Sequence, residues 1–176
     1  HPENGRLNVE EEQIQVQEAL MPWIAKGLVH LEMPDDGRFS TLKDLLASFN
    51  PHILFLSGHG SFHHEPHTGE PPYGEFIFEG QTGNKNPIRE DAIAQALVGM
   101  GVQLVVLSAC QSGKAASDAL TNGLAQCLSA QGIPYVIGMR ESIGDRVGTL
   151  FERALCDNLA GQERVDAALQ AARIAI

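Results

Sequence analysis

The sequence predicts an α/β protein with a mostly parallel central sheet covered by helices on both faces. Three observations predict it. The runs Ile53-Leu54-Phe55-Leu56 and Leu104-Val105-Val106-Leu107 have no polar interruption, as strands buried on both faces require. Segments with helical spacing alternate with these runs, the pattern of parallel strands joined by crossover helices. The chain has 176 residues, 43% hydrophobic and 19% charged, enough for one core and too few for two full domains.

Each element follows from local chemistry. Residues 9–27 read as a helix, because Val9, Gln13, Val16, Leu20 and Ile24 recur at helical spacing and Glu10, Glu11 and Glu12 sit near its positive start. Leu28–Met33 is a short strand candidate. Thr41–Phe49 reads as a helix capped by Ser40 or Thr41. His52–Ser57 is a buried strand bounded by Pro51 and Gly58. Residues 58–87 hold six Gly and four Pro, so turns dominate, with Glu75–Glu79 as one hairpin arm. Residues 89–98 read as a helix and Gln103–Leu107 as a second buried strand. Ala115–Ala130 reads as a helix ending at Gly132, Pro134–Ile137 as a third strand, and 145–160 and 163–175 as two further helices.

Composition excludes several function classes. With 12 Lys+Arg against 22 Asp+Glu, the formal charge is −10, which disfavours gripping nucleic acid or an anionic membrane. No apolar run is long enough for a membrane span, and the start of the sequence is not a signal peptide. Three widely spaced cysteines form no disulfide framework, so reduced thiols in a cytoplasmic setting are expected.

The functional signal lies at two strand ends, because ligands of parallel sheets bind beyond the carboxyl ends of the strands. One end carries Ser57-Gly58-His59-Gly60-Ser61 and the other Ser108-Ala109-Cys110-Gln111-Ser112-Gly113. A cysteine attacks as thiolate, and a nearby imidazole both activates it and protonates the leaving amine. Parallel neighbouring strands ending at one rim would bring His59 and Cys110 together, and the surrounding glycines would let backbone N–H groups approach a substrate carbonyl. Taken singly, a cysteine after an apolar strand is more often a small core residue. The pairing at two equivalent strand ends is what favours a thiol hydrolase.

Leu56-Ser57-Gly58-His59-Gly60 followed by Leu107-Ser108-Ala109-Cys110-Gln111-Ser112-Gly113 resembles the CHAT family of caspase-like, separase-related cysteine peptidases. The likeness continues through Pro134-Tyr135-Val136-Ile137-Gly138, Asp145, Phe151, the Leu159–Gly161 turn, the Ala167–Ala172 helix and the acidic Glu10-Glu11-Glu12. The resemblance implies a caspase-like three-layer sandwich, and it implies an endopeptidase with Cys110 as nucleophile and His59 as general base and then acid. The backbone N–H groups of Gly60 and Cys110 would hold the oxyanion, and no metal or cofactor would be needed. It implies a protein substrate, a role in bacterial signalling or defence, and control by a regulatory partner or fused TPR-type repeats. Family members commonly begin with a core strand that is absent here, so residues 1–176 are expected to be a single domain cut from a longer chain. The Trp common in the family before Asp145 is absent from Met139–Gly144.

Other residues carry weaker signals. Asp145 or Glu141 would form a substrate pocket for a basic side chain, as in separase-like relatives, although Asp145 also suits a helix cap. Asp118 suits a helix-dipole partner. His63, His64 and His67, with Glu65 between them, fit a solvated loop tip best, a substrate-facing or activation loop next and a zinc site least. Ser112-Gly113-Lys114 is not a P-loop, since Ser108 and Ala115 break the motif, and no G-x-S-x-G elbow is present. Cys127 and Cys156 fall within amphipathic helices as inert thiols, and Trp23 falls in the core or at its edge. A catalytically silent, partner-binding scaffold is the alternative reading, and a small-ligand hydrolase or transferase using Cys110 is the third.

Overall fold

The computed structural model describes residues 9–63, 69, 71, 73–110, 123–138 and 145–176. In chain order the elements are α1 (Val9–Ala25), α2 (Phe39–Phe49), β1 (Ile53–His63), β2 (Tyr73–Glu79), β3 (Lys85–Arg89), α3 (Glu90–Leu97), β4 (Leu104–Cys110), α4 (Leu124–Ala130), β5 (Tyr135–Gly138), α5 (Asp145–Ala160) and α6 (Val165–Ile174). The chain divides into two compact units, Pro34–Ser142 and His1–Met33 with Ile143–Ile176.

The first of these units is built on a five-stranded sheet of order β3-β2-β1-β4-β5. The β1–β4 and β4–β5 ladders are parallel. The β1–β2 and β2–β3 ladders are antiparallel. The class is therefore α/β with a parallel core, but the sheet is mixed rather than mostly parallel, because an antiparallel hairpin makes up its other half. Only the first arm of that hairpin is foreseen by the sequence. The second, β3, contains Pro87 and alternates exposed with half-buried positions. It lies at the end of the strand order, the place in a sheet where proline is tolerated.

Strand β4 carries the core. Val105 and Val106 are adjacent and both 0% exposed, so the stretch Leu104–Leu107 is buried on both faces, as its unbroken apolar run requires. Leu56, Phe76, Phe78, Val105 and Leu107 join Leu42 and Leu46 of α2, Ile93 and Leu97 of α3, and Leu124 and Leu128 of α4 in one apolar cluster. Helix α2 begins at Phe39, and its cap is neither Ser40 nor Thr41. Arg38 occupies that position without a side-chain cap bond. Asp36 Oδ1 instead accepts the Arg38 N–H at 3.0 Å and the Thr41 hydroxyl at 2.7 Å. These two donors hold the Asp36 carboxyl below the usual carboxylate range.

Helix α4 starts at Leu124; the expected stretch 115–122 lies outside the described residues. It ends as expected at Gly132, whose φ of 91° lets its N–H and that of Ile133 turn back to the carbonyls of Ser129 and Leu128.

In the second unit, α5 packs against both α1 and α6. Ala168 and Ala172, one turn apart on α6, are fully buried, and Leu155 on α5 is 0% exposed. Trp23 is half-buried and donates its indole N–H to Asp157 at 3.2 Å. The expected strand over Leu28–Met33 is not formed. Gly27 at φ 70° sends its N–H to Ile24 and Leu28 sends its own to Trp23, so the start of this segment terminates α1.

Candidate active site at the ends of β1 and β4

The parallel ladder sets the geometry. The His52 carbonyl accepts the N–H groups of both Gln103 and Leu104, at 2.8 and 3.1 Å, so β1 and β4 start level. Pairing then runs without a bulge from Ile53 opposite Leu104 to His59 opposite Cys110. Adjacent strands lie about 4.8 Å apart, which makes these two residues cross-strand neighbours at the last rung of the ladder. Ser57 stands opposite Ser108, and Gly58 opposite Ala109.

Beyond His59 the chain does not turn, although turns are expected from the Gly and Pro content of residues 58–87. Strand β1 continues to His63 because β2 pairs with it, Gly60 opposite Phe76 and His63 opposite Tyr73. His63, read as part of a loop tip, therefore lies in the sheet. Its Nε2 is 2.8 Å from Glu75 Oε2, and its ring stacks on Tyr73 at 4.8 Å between centroids. The Arg89 guanidinium lies over the other partner of that stack, 4.2 Å from the Tyr73 ring centre. This layered contact needs the β1–β2–β3 register, and no sequence motif signals it.

The hairpin is tied down by a buried acid. Glu90, at the start of α3, is 8% exposed and accepts the Gly74 N–H. Burial pushes its carboxyl above the usual range, and the Gly74 N–H offsets only part of that. Gly74 is required there, since a Cβ would stand 2.8 Å from the Leu124 backbone nitrogen.

Two other thiols lie in helices. Cys127 is half-buried, and desolvation together with Glu90 and Asp91 raises its pKa. Cys156 is buried, and desolvation with Glu152 and Asp157 pushes it up to about 12. Both are poor nucleophiles at neutral pH, as their helical positions predict.

Among the remaining sequence candidates, Asp145 is the first residue of α5. Glu141, Asp118, His64, Glu65, His67 and Ser112-Gly113-Lys114 lie outside the described residues. Among the described residues, no group of three or more His, Cys, Asp or Glu side chains is placed to hold a metal ion. No helix among them is long and apolar enough to cross a membrane.

Comparison with protein families finds that the CHAT domain model matches residues 5–176. Comparison with curated proteins finds no match.

Proposed function

Because this chain belongs to the CHAT domain family, we propose that it is a cysteine endopeptidase that cleaves a protein substrate with a Cys110–His59 dyad. The single observation that carries the reading is the ladder register, His59 opposite Cys110 at the last rung of two parallel strands. In this mechanism His59 takes the proton of the Cys110 thiol, and the thiolate attacks the scissile carbonyl carbon. The backbone N–H groups of Gly60 and Cys110 stabilise the tetrahedral oxyanion. His59 then gives its proton to the amine as the C–N bond breaks, leaving a thioester on Cys110. Water, deprotonated by the same imidazole, hydrolyses the thioester and frees the acid and the thiol. The sheet serves as the middle layer of a caspase-like three-layer sandwich, and residues 1–176 act as one peptidase domain. A cytoplasmic setting accords with Cys127 and Cys156 being free thiols. Bacterial signalling or defence, and control by a partner or fused repeats, rest on the family resemblance.

Profiling of new protein N-termini tests the reading. The protein should generate a set of cuts that disappears in Cys110→Ala and falls by roughly two orders of magnitude or more in His59→Ala. Cuts that persist in Cys110→Ala would overturn the assignment, and an absence of cuts in the unaltered protein would favour the silent scaffold. The residue preceding each cut decides whether Asp145 or Glu141 selects a basic side chain, as separase-like relatives do.

A further inference from the structure

His59 is flanked by glycine on both sides, so β1 presents no Cβ at 58 or 60. At Gly58 that space is taken by an aromatic ring from the neighbouring strand. Phe76 stands opposite Gly60 in the β1–β2 ladder. Its ring leans diagonally onto Gly58, where a Cβ would meet Cζ at 2.9 Å and Cε1 at 3.2 Å. The side chain of the residue opposite Gly60 thus covers Gly58, a cross-strand arrangement in which an aromatic ring compensates for the missing side chain of a strand glycine. The ring sits in the core. Phe76 is 4% exposed and lies 5.1 Å, tilted, from the ring of Phe78. Phe78, two residues on and 7% exposed, makes its other ring contact with Phe39 of α2, also at 5.1 Å.

We propose that Phe76 is a positioning residue for His59, fixing the Gly58–Gly60 backbone from which the imidazole is presented to Cys110. The inference rests on the dyad reading and deepens it. Gly58 permits the close approach of the ring, and the ring packed on it removes backbone freedom that a glycine would otherwise give the strand at that point. Phe78 is an internal control, with the same residue type, strand and core but its second ring contact directed at α2.

The test compares the pH dependence of iodoacetamide labelling at Cys110 in the unaltered protein, Phe76→Leu, Phe78→Leu and His59→Ala, with thermal melts of each. An imidazole-assisted thiol gives a profile with an added inflection in the histidine range. Phe76→Leu is expected to slow Cys110 labelling at neutral pH by roughly tenfold, the scale of a sub-ångström misplacement, and to move the profile toward that of His59→Ala. Phe78→Leu should lower the melting temperature comparably and leave the profile in place. If Phe76→Leu does not fold, Phe76→Met takes its place with the same expected outcome. A profile unchanged by the Phe76 variants but altered by His59→Ala overturns the positioning role and leaves the dyad standing. Equal effects of Phe76→Leu and Phe78→Leu also overturn it, since the ring would then act only through general stability. A profile indifferent to His59→Ala overturns the dyad and the positioning role together.

Discussion

The two halves of the sheet are built by different means. In the parallel half, β1, β4 and β5 start level through backbone bonds from Gln103 and Leu104 to His52 and from Tyr135 to Gln103. Their apolar runs then carry the register forward unbroken. In the hairpin half, β2 alternates half-buried and buried residues, and β3 alternates exposed and half-buried ones. Side chains tie it down: Glu90 to Gly74, His63 to Glu75, and the Phe76 ring over Gly58. The difference teaches that the place of His59 and Cys110 is set by counting along two parallel strands, of which β4 is buried over Leu104–Leu107 while β1, expected to be buried, leaves Ile53 exposed and Leu54 and Phe55 half-buried. The local setting of the His59 segment depends on a neighbour joined to it antiparallel.

The largest expected contrast is in stability. Leu107 is 0% exposed on β4, and Leu107→Ala should cost about 2–5 kcal/mol in denaturant melts. Ile88 on β3 is only half-buried against the core, and Ile88→Ala should cost about 1 kcal/mol. Equal costs would break the distinction between a core half and an appended half.

A smaller effect sharpens the same comparison through pH. Burial raises the Glu90 pKa, so the folded chain holds this proton more tightly than the unfolded chain does. The resulting stabilisation is complete below the ordinary glutamate value and is lost as pH rises through the elevated one. Glu90→Gln, which keeps an acceptor for the Gly74 N–H, should remove that slope from a plot of melting temperature against pH. A slope that survives the substitution would mean that other groups titrate in its place.

Legibility in the sequence follows the same division. Leu104–Leu107 and Ile53–Leu56 are readable as strands because an unbroken apolar run has one simple explanation. Helices α3, α5 and α6 match the expected segments 89–98, 145–160 and 163–175 to within two residues at each end. The extensions of β1 to His63 and of β4 to Cys110 are not, since Ser, Gly and His are weak strand formers and only ladder pairing keeps them extended. Strand β3 is hidden by Pro87, and the Leu28–Met33 run misleads because its first residue closes a helix end. At the candidate site, His59 and Cys110 stand out from their motifs. Phe76, His63–Glu75 and Glu90–Gly74 do not, because each needs a partner distant in sequence, and neither residue type nor local pattern announces the contact.

The dyad is tested most directly by comparing labelling rates at the three thiols. With limiting iodoacetamide at neutral pH, peptide mass spectrometry should find Cys110 modified faster than Cys127 and Cys156 by roughly an order of magnitude or more, with that lead lost in His59→Ala. Slow and equal modification of all three, or a lead at Cys110 that survives His59→Ala, would contradict the account.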